Sequence, residues 1–192
     1  MATGERYLTF RCTGCGNCCK EPLLPLTDTD LARILGRTGE RARDVVRWVS
    51  RQEIDLDDEP ESFVLLRPGR RVMVLGHGRR GCRYLGRDDR CTIYGARPLG
   101  CRIFPFDPDF KRDGSLRRLR LIQAAECDYA LDGHNDIRLI RSLHERHDET
   151  TERYHQRVAE WNQMQRRRQR RGVRPEAPAE FLRYLGFDAA GA

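Results

Sequence analysis

Cys12-Thr13-Gly14-Cys15-Gly16-Asn17-Cys18-Cys19 is the stretch whose reading decides the fold. Gly14, Gly16 and Asn17 resist regular structure, so the segment reads as a loop. Cys12, Cys15 and Cys18 follow a C-x2-C-x2-C pattern, and three thiolates at that spacing can curl around one centre. Glycine lets backbone N–H groups approach the sulfurs and stabilise their charge. Neighbouring side chains diverge. Cys18 and Cys19 therefore serve different centres, or one is a ligand and the other is packing.

Working outward, Cys82, Cys91, Cys101 and Cys127 complete a set of eight cysteines. The first three thiols are spaced like the start of a ferredoxin cluster loop, but Cys19 follows Cys18 at once and no proline follows it. Structural zinc sites pair C-x2-C with a second, distant pair. Eight thiols therefore suit two zinc sites of four thiolates each. They equally suit one four-iron cluster, with the unused cysteines structural or holding a second ion. Around Cys101, Pro98 and Pro105 stiffen the chain. Arg97 and Arg102 are placed to offset the charge of a buried thiolate cluster, and Tyr94 to donate a hydrogen bond to it.

The sequence divides into three regions. In the first, Thr27 and Asp30 resemble a capping box, with Leu31, Ile34 and Leu35 at helical spacing and Gly36 as the stop. Glu40 to Gln52 reads as a second helix with Ala42, Val45, Val46 and Val49 on its apolar face. The second region is β-rich: Phe63–Leu66 and Val72–Leu75 flank the turn pair Pro68-Gly69. Cys82–Leu85 and Arg90–Tyr94 suggest another hairpin, and Leu116–Ile122 a further strand after Asp113-Gly114. In the third, Ile137, Ile140, Leu143, Tyr154, Val158 and Trp161 fit one face of a long helix that Gly172 and Pro175 break. Phe181, Leu182, Tyr184, Leu185 and Phe187 then dock a short final element. The expected fold is α+β: a small cysteine-rich, metal-organised domain over 1–130 with a C-terminal helical extension over 131–192.

Hydrophobic residues are 39% of the chain and charged residues 34%, so the apolar core is thin for this length, and ligated metal can supply stability that burial does not. The formal net charge of +7 comes almost wholly from arginine, since Lys20 and Lys111 are the only lysines. Acidic residues are interspersed. The densest basic run, Arg166, Arg167, Arg168, Arg170 and Arg171, reads as a solvated helix end, and nucleic acid is not expected as a partner. No segment has the length or apolarity of a signal peptide or membrane span. A cytoplasmic location follows as the expectation. There thiols stay reduced, and metal accounts for eight of them better than disulfides do.

The motifs taken together resemble the YkgJ-like cysteine-cluster (CxxCxxCC) family, a zinc- or iron-chelating domain. The matching pieces are Phe10-x-Cys12-x-x-Cys15-x-x-Cys18-Cys19, Cys82-x-Tyr84-Leu85, and Cys91-x-Ile93-Tyr94-x-x-Arg97-Pro98-x-x-Cys101-Arg102-x-Phe104-Pro105. The match runs from about Phe10 to Cys127 and omits the helical extension. It implies metal at Cys12, Cys15, Cys18, Cys19, Cys82, Cys91, Cys101 and Cys127, as a 4Fe-4S cluster or as zinc. A flagellin lysine methylase carries a similar cluster, but Gly76-His77-Gly78 is too short for a methyl-donor loop, so methyl transfer is not carried over. His77 reads as a solvated loop residue, and His134, His144, His147 and His155 as part of a charged helix face. Two functions are expected: an iron–sulfur protein in electron transfer or in a modifying enzyme, or a zinc-stabilised binding module. The protein partner or substrate is open.

Overall fold

The computed structural model describes residues 7–20, 23–56, 58–122 and 127–187. The chain opens with β1 (Tyr7–Leu8), β2 (Arg11–Cys12) and one helical turn, α1 (Asn17–Lys20), before α2 (Asp28–Thr38) and the short α3 (Ala42–Val45). Strands β3 (Val46–Val49), β4 (Val64–Leu66) and β5 (Gly69–Leu75) follow, then the small pair β6 (His77–Gly78) and β7 (Gly81–Cys82). Helix α4 (Leu99–Ile103) leads to β8 (Phe106–Phe110) and β9 (Leu116–Leu121), then β10 (Tyr129–Ala130) and β11 (Asn135–Asp136). Helices α5 (Ile137–Arg170) and α6 (Pro178–Tyr184) close the order. Helices and several small sheets together make the α+β class. Among the described residues no helix is long and apolar enough to cross a membrane.

The main core lies on a three-stranded antiparallel sheet in the order β3-β5-β4. Central strand β5 is buried on both faces. Met73 and Leu75 face one cluster with Leu31, Ile34 and Val45, while Val72 and Val74 face a second with Val49 and Phe63. Helix α5 covers the first face with Tyr154, Val158 and Trp161, which recur at helical spacing. It also finishes the open edge of β4: Asn162 Oδ1 accepts from Leu65 N at 2.6 Å, and Asn162 Nδ2 donates to Phe63 O at 2.8 Å. Trp161 Nε1 donates to Leu65 O at 3.0 Å. Phe181 of α6 is fully buried, edge-on to both Trp161 and Trp48. The residues that form an extension in sequence thus share one core with the N-terminal half.

Several local readings change in the structure. Glu40–Gln52 is not a helix: after the single turn α3, Val46–Val49 runs as a strand paired with Leu75–Val72 of β5. The β-branched and aromatic residues there fit both periods, and an unpaired β5 edge decided for the strand. Helix α2 keeps its capping box, with Asp30 N donating to Thr27 Oγ1 at 3.1 Å. It runs past Gly36 to end at Gly39, whose φ of 68° suits glycine. The cysteine stretch is not all loop, since Cys12 lies in β2 and Cys18 and Cys19 lie on α1. The second hairpin shifts to β6–β7, leaving only a Leu85–Cys91 bridge where it was expected, and Tyr94 lies in a 3₁₀ turn. The strand after Asp113-Gly114 is β9, paired with β8 despite Pro108.

Candidate metal centre

Each cysteine reaches the centre by its own local device. β2 pairs with β10, Cys12 opposite Tyr129, and Thr13 Oγ1 donates to Asp128 O at 2.7 Å; both contacts bring Cys127 beside the first loop. Gly14 and Gly16, at φ values of 76° and 74°, turn the chain so that Cys15 and then α1 face inward. Cys19 N closes that turn on Gly16 O at 2.9 Å. Gly81, at a φ of 112°, lets β7 approach the Cys19 backbone and sets Cys82 beside α1. Helix α4 carries Cys101. Its start is fixed by Leu99 N donating to the buried Asp30 at 2.9 Å.

The result is one cavity of about 780 Å³ whose lining includes all eight cysteines. None is in a disulfide. Within it the thiols fall into two neighbourhoods. Burial raises Cys101 to about 12, with Cys82, Cys18 and Cys91 adding to the shift. Burial likewise raises Cys82, helped by Cys91 and Cys18. Cys18 is raised first by its hydrogen bond with Cys19, then by burial. Near the rim, burial and then Cys15, Cys12 and Cys18 raise Cys127 to about 11. Cys82, Cys91 and Cys101 therefore form an inner group and Cys12, Cys15 and Cys127 an outer one, while Cys18, exposed and adjoining Cys19, neighbours both.

This donor set fits a thiophilic metal. The ligands are soft sulfur throughout, they are held at one cavity, and a cation would replace the protons that burial retains. Among the described residues, no three His, Cys, Asp or Glu side chains close on a point that would hold a single ion.

Arg97 lowers both Cys18 and Cys101, against the burial that raises them. It lies over the Tyr94 ring at 3.7 Å and donates to Tyr94 O at 3.2 Å, so Tyr94, itself 62% exposed, positions the guanidinium. Arg102 lines the same cavity and has cations for neighbours. Burial lowers it, and Arg33, Arg97 and Arg146 push the same way. His77 lines the cavity opposite Cys82, and burial keeps it below the usual histidine range. His134 and Asn135 also line the cavity, and no motif in the sequence marks them. His144 is partly buried on α5, His147 lies 3.6 Å from Asp148, and His155 shares a 2.9 Å hydrogen bond with Ser62. His147 thus lies on a charged face of α5, whereas His144 and His155 pack against the body.

A family model, described as CxxCxxCC, a putative zinc- or iron-chelating domain, matches residues 11–128. The chain belongs to the CxxCxxCC family. The match encloses every cysteine of the cavity and stops before α5, which supplies core but no cysteine. The chain matches no curated protein and no solved structure.

Proposed function

We propose that the cysteine cavity holds an iron–sulfur cluster of the four-iron type, and that the protein works as an electron carrier or as the cluster-bearing part of a modifying enzyme. One observation carries this reading: all eight thiols line one cavity, three of them at C-x2-C-x2-C spacing. A zinc ion draws its sulfurs to about 2.3 Å. A four-iron cluster brings its own sulfide and holds its cysteines further apart, and the C-x2-C-x2-C loop suits it. The family's chelating description and the eight free thiols support metal in a reducing compartment, the cytoplasm.

Zinc is the second reading: Cys82, Cys91 and Cys101, with Cys18 as their neighbour, number the four thiolates of a structural site. Anaerobic purification followed by iron, zinc and acid-labile sulfide analysis separates the two. The cluster reading expects brown protein with broad visible absorbance and sulfide matching iron. About two zinc ions per chain without sulfide would replace it by the binding module.

A further inference from the structure

Arg97 and Arg102 line the cysteine cavity and also a second, smaller cavity of about 220 Å³. The far wall of the smaller cavity is apolar, formed by Ile103, Phe106, Leu139, Ile140 and Leu143. Leu139 is 59% exposed, an unusual place for a leucine on a helix that buries its other large apolar groups nearby. The near wall is cationic. The Arg102 guanidinium makes no hydrogen bond or ion pair among the described residues, and Arg33, Arg97 and Arg146 are charged neighbours.

The anions within reach are already engaged. Asp30 holds Arg33 at 3.0 Å and receives Leu99 N. Asp136, which lines the cavity, holds Arg138 at 2.8 Å and caps α5 through Arg138 N. Like charges gathered without a counter-ion repel one another, and an anion brought from outside relieves that repulsion. The guanidinium fork matches the two oxygens of a carboxylate or phosphate. Both arginines line both cavities, and Arg102, whose guanidinium has no partner among the described residues, is the cation open to a further anion.

We infer that this second cavity binds an organic acid, with its carboxylate or phosphate on Arg102 beside Arg97 and its apolar body against Ile103, Leu139 and Leu143. The site stands on these residues alone. That the bound acid is the substrate of the neighbouring cluster rests on the metal-centre reading.

The experiment uses the full chain, prepared anaerobically with metal and also stripped of it. Octanoate, octyl phosphate and inorganic phosphate are titrated by calorimetry, with thermal midpoints in parallel. At least one octyl probe should bind ten-fold or more tighter than inorganic phosphate, and the tighter of the two names the headgroup. Arg102→Ala should weaken that probe at least ten-fold while iron or zinc per chain stays unchanged, and Arg102→Lys should recover part of the loss. Leu139→Ser should weaken the octyl probe but leave inorganic phosphate as it was. Wild-type affinity in Arg102→Ala overturns the proposal. So does loss of metal in that variant, because the arginine then serves the thiolates. A chain that takes up no metal yet binds the octyl probe through Arg102 ends the cluster reading and leaves this one standing.

Discussion

Gly16→Ala tests whether the tertiary contact between two cysteine loops sets the metal site. Gly16 follows Cys15, and a Cβ added there would lie 2.6 Å from the backbone oxygen of Asp89, two residues before Cys91. Ordinary contact begins at 3.4 Å, so one loop has to retreat by about 0.8 Å, and the obstacle is backbone rather than a yielding side chain. Metal–ligand distances tolerate about 0.2 Å. Crowding of this kind costs about 1–3 kcal/mol, and a Cβ at left-handed φ adds about 1–2 kcal/mol. Gly14 supplies the control. It has nearly the same φ, 76° against 74°, but nothing lies within 4 Å of its added Cβ. Gly14→Ala and Gly16→Ala therefore share the strain and differ in the clash. The assay is competition for metal against a chelator under anaerobic conditions, with thermal midpoints alongside. Gly16→Ala is expected to bind metal about ten- to a hundred-fold more weakly than Gly14→Ala, at about 1.4 kcal/mol per decade. Equal metal affinity in the two variants would refute the claim that the Asp89 contact positions the cysteines.

Cys101→Ser, in the inner group, should abolish metal uptake, whereas Cys127→Ser at the rim should leave a measurable metal content; metal analysis of the purified variants decides. Asp30→Ala leaves Arg33 and Leu99 N–H without their buried acceptor, and should cost about 3–5 kcal/mol in denaturant unfolding. Phe181→Ala empties the aromatic contact among Trp48, Trp161 and Tyr184, and should cost about 3–5 kcal/mol, with faster proteolysis of the chain after Arg170. Tyr154 is buried, and its hydroxyl has no partner among the described residues, so Tyr154→Phe should raise the thermal midpoint or leave it unchanged. A clear fall would mean that the hydroxyl is satisfied after all.

Much of the chemistry was legible without coordinates, because ligands for a soft metal come from few residue types and cluster at short spacings. Cysteine spacing therefore marked the family, and the Thr27–Asp30 cap and the period of α5 are rules that neighbouring residues satisfy alone. Val46–Val49 went the other way. Its apolar residues fit a helix face and a strand face equally, and only the presence of β5 beside it resolved the choice. The role of α5 was also hidden: nothing in Asn162 announces that it will finish the edge of β4, because a hydrogen bond between residues about a hundred positions apart leaves no local pattern.

The sequence by itself determined that the chain carries a thiol-rich chelating domain, since thiol chemistry belongs to the residue and travels with it. Only the tertiary structure decided which thiols are neighbours, because it folds sulfurs far apart in the sequence onto one cavity, which Arg97 and Arg102 both line.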